Sequence, residues 1–426
     1  MLTIVQADGT AERKQIEAMR IRAAEKNAGI DRSAAEIMEA VRIRGYEAVR
    51  EYSLKFDNAE PREIPLEELK TAAERIPTEL LNSLRKSAEN IKAYQSELLS
   101  TSRTWESPVS GGMVGQIVRG LSRVGIYVPG GRAAYPSSVL MNAVPAKVAG
   151  CQEIIMVTPP TENLNDAVLA AAWVAGVDRC IAVGGVQAVA ALTYGADWIP
   201  RVDKLVGPGN AYVAAAKRMA YGTLDIDMVA GPSEVLVIAD ETADPVSTAA
   251  DLLSQAEHDV MASAVLLTTS ENLAKQVALE MERQTAYLSK KDIIMQSLQD
   301  YGAIIVCQDL TQCCNLANEI APEHLEVITE DPERLLPALL NAGAIFLGPN
   351  TPEPLGDYMA GPCHVLPTSG TARFFSALSV ESFLKKTSVI RFTREALSQV
   401  ADDIIRLAES ESLTAHANSI QVRFKL

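Results

Sequence analysis

VGIYVPGGRAAYPSSVLMNAVPAKVAGCQEIIMVT, residues 124–158, runs from a short apolar strand through a Gly/Pro loop and a stretch of small residues into a second apolar strand. The alternation continues through CIAVG (180–184), KLVG (204–207) and EVLVIA (234–239). Between the runs lie Ala-rich helical stretches, among them LNDAVLAAAWVAG (164–176), which Gly176 stops. Short apolar strands alternating with helices predict a parallel sheet covered on both faces, since each strand must bury side chains above and below.

Outward from this segment the pattern repeats. SAVLLT (263–268), AIIVC (303–307), LEVIT (325–329) and AIFLG (344–348) form a second set, so the chain reads as two α/β units with a boundary near residue 240. Residues 1–120 read as a helical lead-in. Ser33 followed by Glu36 reads as a capping box opening a helix to about residue 56. A second helix is expected over 78–99, then strands at 114–118 and 123–128. The last fifty residues read as two helical runs and a short terminal strand, SIQVRF.

Composition narrows the function. A chain of 426 residues with 48% hydrophobic and 22% charged residues is ordinary globular material for two or three domains. Its net charge of −15, without any clustered Lys/Arg stretch, argues against a nucleic-acid partner. The six cysteines form no C-x-x-C pair, which disfavours a zinc ribbon or a disulfide framework and suits reduced thiols in the cytoplasm. The first residues become charged too early for a signal peptide, and no apolar run approaches the roughly 20 residues that span a bilayer. A soluble cytoplasmic protein without membrane contact is expected.

The loops VPGGRAAYP, VGGVQ, VGPGN and AGPSE are expected at strand C-terminal ends, where α/β proteins bind ligands. Glycine admits a ligand close to the backbone, and a following helix offers free N–H groups to phosphate. Any one of these loops alone reads first as a tight turn; four in one lobe shift the balance toward a site. GPGNAY carries Tyr212 where a third glycine would complete G-x-G-x-x-G, so no conventional dinucleotide fingerprint exists. The four histidines, His258, His324, His364 and His416, all lie near Gln, Asp or Glu. Gln255 and His258 are spaced to share one helical face, and Glu323 directly precedes His324. Singly, each has an ordinary explanation in a helix end, a solvated loop acid or a turn. Jointly, imidazole with amide and carboxylate oxygen suits a catalytic zinc, and the Glu–His pair supplies general bases. The absence of H-E-x-x-H excludes the common metalloprotease pattern.

Eight blocks together are more specific than any of these signals. VGIYVPGGRAAYPSSVLMNAVPAKVAG, VGGVQAVAALTYG, VGPGNAYVAAAKR, IDMVAGPSEVLVIAD, LLSQAEHD, APEHLEV, GDYMAGPCHVLPTSGTARF and LTAH resemble the histidinol dehydrogenase family in order and spacing, from about residue 25 to the C-terminus. The resemblance implies oxidation of L-histidinol to L-histidine in two NAD-dependent steps through a bound aldehyde. It further implies zinc on Gln255, His258, Asp357 and His416, and bases at Glu323 and His324. Substrate contacts are implied at Ser233, His324 and Glu411 together with the metal ligands, and NAD contacts at Tyr127, Gln187 and Asn210. Histidinol offers an amine and an imidazole, two nitrogens able to chelate zinc.

The implied architecture is two incomplete Rossmann-like parallel-sheet α/β domains with a helical lead-in and a C-terminal helical and strand extension. Residues 1–30 would form an arm, 31–120 with 241–375 one domain, and 121–240 the other, carrying the NAD loops. Residues 376–426 would reach the partner's site in a homodimer, placing Glu411 and His416 in trans. Cys363, where many family members carry Asn, and DVMAS after His258 depart from the family pattern without removing a required group. The resemblance implies no firm role for His364. A dehydrogenase for another amino alcohol or polyol, a non-enzymatic ligand-binding protein and a zinc hydrolase are the competing readings. NADH formation with histidinol, before and after chelation, separates them.

Overall fold

The computed structural model describes residues 3–24, 28–130, 135–161, 164–229 and 231–424. Two six-stranded sheets dominate it. In the first, Arg123–Tyr127 is central, flanked by Glu153–Thr158 and Arg179–Ala182 on one side and by Lys204–Val206 and Asp225–Ile226 on the other. These five strands are parallel, and Arg62–Ile64 adds an antiparallel edge beside Arg179–Ala182. In the second, Glu234–Ala239 is central, with Ser263–Thr268 and Gly302–Val306 to one side and His324–Ile328 and Ala344–Leu347 to the other. Ile4–Gln6 adds a parallel edge beside Gly302–Val306. Numbered within each unit, both sheets therefore run 3-2-1-4-5, each with one extra strand donated from earlier in the chain.

The inner strands, such as Glu153–Thr158 and Glu234–Ala239, bury both faces, as their continuous apolar runs require. Ile154 and Met156 enter one core of the first sheet with Leu69, Ile91 and Leu140; Ile155 and Val157 enter the opposite core with Val41, Val189 and Val213. The second sheet divides likewise, Val235 and Val237 to one side, Leu236 and Ile238 to the other. The helix Asp166–Ala175 shows how local sequence sets its ends. The Asn165 side chain accepts from the N–H groups of Ala167 and Val168, and Gly176, at φ +71°, stops it in the left-handed region.

The sheets redraw the expected domains. Residues 31–101 belong with 121–226, not with 241–375. Arg62–Ile64 joins the first sheet, Arg75 pairs with Asp166, and the helices Ala28–Arg44 and Leu66–Arg75 pack on opposite faces of that sheet. The unit boundary falls between Ile226 and Glu234 rather than near 240, since Glu234–Ala239 pairs on both sides within the second sheet. The chain start joins that sheet too, so residues 4–6 are an edge strand rather than a detached arm. Ser33 lies inside the helix Ala28–Arg44, and Gly45 at φ +58° separates it from Tyr46–Asp57, so no single helix opens at a Ser33 cap.

A third, antiparallel sheet joins Trp105–Val109, Gly112–Gly120 and Leu384–Arg391. The helices Arg394–Ser410 and Thr414–Gln421 follow it. The expected terminal strand SIQVRF is instead the end of the second helix and a turn. Among the described residues no helix is long and apolar enough to cross a membrane.

Candidate active site

The site begins where the two central strands of the second sheet start. The Glu234 N–H donates to Glu323 Oε2 at 2.9 Å, and the Glu234 carbonyl lies 3.0 Å from His324 Nδ1. A carbonyl only accepts, so Nδ1 carries the proton and Nε2 presents a lone pair. Among the described residues Nε2 has no hydrogen-bond partner; it faces Glu353 Oε1 at 3.9 Å and Asp357 Oδ1 at 4.0 Å. Burial, against the pull of Asp357, lowers the His324 pKa to about 4. The imidazole is therefore neutral at physiological pH, with Nε2 unprotonated. Burial raises Glu323 well above the ordinary carboxylate range, with the Glu234 N–H opposing it.

Glu353 and Asp357 stand four residues apart on the short helix Glu353–Tyr358, hence on one face. The Glu353 N–H donates to Glu326 Oε1 at 2.7 Å, and Ser254 Oγ lies 3.4 Å from Glu353 Oε2. Burial, then neighbouring acids, pushes Glu353 up to about 9 and Glu326 up to about 8. Buried carboxylates that face a neutral imidazole favour a cation among them. His364 spans the cleft, with Nδ1 3.6 Å from Asp357 Oδ1 and Nε2 3.4 Å from Ser138 Oγ, in the first turn of the helix Pro136–Val148 of the first unit.

A cleft of about 380 Å³ between the units brings Ser233, Gln255, His258, Glu323, His324 and Asp357 together. Gln255 ends its helix with Oε1 buried and unpaired, and its Nε2 is 3.5 Å from His258 Nδ1. His258 lies in the turn beyond that helix, which ends at Ala256, so the pair meets across a helix end rather than along one face. Gly207, Pro208 and Asp227 of the first unit line the opposite wall. Glu411 and His416 do not line this cleft; both are exposed on the C-terminal helical segment.

The expected cofactor residues sit at the C-terminal end of the first sheet. The buried Tyr127 hydroxyl accepts from the Gly185 N–H at 3.0 Å, and burial raises its pKa to about 12. Gln187 donates through Nε2 to Asp57 at 3.3 Å and keeps Oε1 buried without a partner. Asn210 caps the helix Ala211–Ala220 with its side-chain oxygen. The loop AGPSE is differently placed from the expectation, because it precedes the strand Glu234–Ala239 and so lies at that strand's N-terminal end. Residues 131–134 of VPGGRAAYP, and Ala230 of AGPSE, lie outside the described residues.

The donor set fits a divalent metal. Among the described residues, His324, Glu353 and Asp357 offer ligand atoms that all lie within 4.8 Å of one another, and Gln255 Oε1, His324 Nε2 and Glu353 Oε1 are buried without partners. Nitrogen and oxygen donors without thiolate suit zinc at a catalytic site. The geometric trio and the expected ligand set share only Asp357; the trio adds His324, expected as a base, and Glu353, which the sequence reading missed. Its only signal was the Glu-x-x-x-Asp spacing before Asp357. In the first unit's loops the protein's own atoms leave no room beside two glycines. A Cβ on Gly184 would fall 2.7 Å from Pro159, and one on Gly207 would fall 2.2 Å from the Tyr127 carbonyl.

The histidinol dehydrogenase family model matches residues 20–424. The chain is 53% identical to histidinol dehydrogenase of Heliobacterium mobile over 406 residues, covering 94% of this chain and 95% of that protein. It is 54% identical to histidinol dehydrogenase of Caldanaerobacter subterraneus subsp. tengcongensis over 404 residues, 94% of each. A crystal structure of histidinol dehydrogenase from Elizabethkingia anophelis superposes with a TM-score of 0.92 at 35% identity, covering 99% of this chain and 97% of that one. With the model match and these full-length likenesses added to the cleft and its Glu–His pair, the chain belongs to the histidinol dehydrogenase family.

Proposed function

We propose that the protein oxidises L-histidinol to L-histidine in two successive NAD-dependent steps through a bound aldehyde, as an enzyme of histidine biosynthesis in the cytoplasm. The observation that carries the mechanism is the tautomer fixed on His324. Its Nδ1–H is held by the Glu234 carbonyl, so Nε2 is a neutral base opening into the cleft. His324 takes the alcohol proton as hydride leaves the carbinol carbon. Glu323, one residue away and anchored by the Glu234 N–H, takes a proton from the water that hydrates the aldehyde. The two oxidations consume one water and two NAD and release two NADH and three protons.

When bound, NAD would supply the hydride acceptor, and zinc would supply a fixed positive charge that the substrate's amine and imidazole can chelate. Tyr127, Gln187 and Asn210 are our candidates for holding NAD; the unpaired Gln187 Oε1 supports this. Gln255, His258 and Asp357 are our candidates for zinc, completed by His416 of a second copy. Ser233, His324 and the second copy's Glu411 would contact substrate. The exposure of Glu411 and His416, with Leu407 67% and Leu413 41% exposed beside them, supports a role in trans within a homodimer.

The short mutual distances of His324, Glu353 and Asp357 favour a second reading, in which zinc sits on those three and occupies the Nε2 lone pair. His324 could not then act as the base. The primary experiment is NADH production from histidinol before and after chelation, alongside other amino alcohols. Activity that requires both histidinol and metal is expected. Turnover without NAD, or equal turnover of simple alcohols, would exclude the proposal.

A further inference from the structure

Opposite the catalytic pair, Asp227 of the cleft wall forms an ion pair, with Lys217 behind it, that the chemistry above does not use. Lys217 Nζ and Asp227 Oδ1 are 2.5 Å apart, with side chains 4% and 2% exposed. Both partners hold one glycine. The Gly207 N–H donates to Asp227 Oδ2 at 2.8 Å, and Lys217 Nζ donates to the Gly207 carbonyl at 2.8 Å. Asp227 Oδ1 also accepts from the Met228 N–H at 2.7 Å. Gly207 stands at φ +104° with no room for a Cβ against the Tyr127 carbonyl, so its conformation is fixed on that side as well.

Burying two charges costs more than burying an apolar pair of equal size, unless every remaining donor and acceptor is satisfied. An apolar pair here would orphan the Gly207 N–H, the Gly207 carbonyl and the Met228 N–H, each a buried backbone group. The pair also joins three otherwise separate segments. Gly207 opens the loop leading to Asn210, Lys217 lies on the helix Ala211–Ala220, and Asp227 begins the crossover from the first sheet to the second. Gly207 and Asp227 both line the cleft.

We propose that Lys217 and Asp227 are positioning residues that clamp the Gly207–Asn210 loop to the inter-sheet crossover, and so set where NAD lies relative to the substrate in the second unit. This rests on the reading that the loop holds NAD. Asp227→Asn keeps the shape and removes the carboxylate. Lys217→Met/Asp227→Asn removes both charges, leaving none orphaned if the single variant fails to fold.

The measurements are NADH affinity by fluorescence titration, KM for NAD and for histidinol separately, and zinc content. Weakening of NADH affinity and a rise in NAD KM by about tenfold are expected, equal to the loss of one good interaction, with histidinol KM and zinc content within about twofold of the parent. Folded variants with unchanged NADH affinity would overturn the proposal, and so would a parallel rise in both KM values. Failure of both variants to fold would also overturn it, by making the pair a support of the fold alone. Asn210→Ala serves as the control. If it too leaves NADH affinity unchanged, the loop is not the NAD site; if it weakens NADH while the clamp variants do not, only the clamp assignment falls.

Discussion

The two sheets share one strand order and use opposite ends of it. In the first unit, the cleft is met by the C-terminal ends of strands, through the loops after Arg123–Tyr127 and Lys204–Val206, and by the start of the helix Pro136–Val148, where Ser137 and Ser138 line it. That is the ordinary α/β arrangement, in which helix N-termini favour an anion such as a pyrophosphate. In the second unit, Ser233, Glu323 and His324 stand at the N-terminal ends of their strands, and Gln255 and His258 stand at the C-terminal end of a helix. A helix C-terminus carries partial negative charge and favours a cation. Two copies of one topology, set end to end, thus give an anion-favouring wall opposite a cation-favouring wall.

The largest expected effect tests the cation wall. His258→Ala should lose most bound zinc and nearly all turnover while retaining NADH binding, as read by elemental analysis and fluorescence. Glu353→Gln discriminates the two metal readings. It should keep zinc if Gln255, His258 and Asp357 hold the ion, and lose it if the His324–Glu353–Asp357 trio does.

Glu323→Gln should reduce turnover by ~10²-fold or more, the scale of a missing general base. The aldehyde-to-acid half should suffer more than the alcohol-to-aldehyde half. The sign of the pH dependence follows from the raised Glu323 pKa. Its carboxylate forms only as pH climbs above the usual acid range, so kcat/KM of the second half should rise with pH, and this limb should vanish in the variant. His324, near 4, stays neutral from pH 6 to pH 9 and should add no limb there. Equal losses in both halves would reassign Glu323.

A smaller signal tests whether one cleft draws on two chains. Mixing His258→Ala with His416→Ala chains under subunit exchange should restore activity toward about a quarter of wild type, because a mixed dimer holds one intact site. An inert mixture, with exchange verified by mass, would place His416 outside the partner's cleft. The smallest effect tests the anion wall. Asn210→Ala removes a candidate NAD contact, so NAD KM should rise about fivefold, equivalent to about 1 kcal/mol of binding, with zinc content unchanged. A shift in histidinol KM instead would break the division of labour between the walls.

What the sequence determined is what short-range physics encodes. Apolar runs such as EIIMVT and SAVLLT fixed nine parallel strands to within a residue or so, because burial on both faces leaves little choice of side chain. Asn165 and Gly176 fixed one helix at both ends. Of the expected site residues, the six of the second unit meet in one cleft, which the ordered motifs foretold as a set but not as a geometry.

The tertiary structure alone decided which sheet each early segment joins, since the pairing of Arg62–Ile64 with Arg179–Ala182 spans more than a hundred residues and leaves no local trace. It alone put AGPSE at a strand's start, and so reversed the working end of the second sheet. It alone gave Glu353 its meaning. In sequence that residue is one acid in a Pro-rich turn; in the fold it is 2% exposed beside His324 Nε2, and burial rather than residue type sets its charge state.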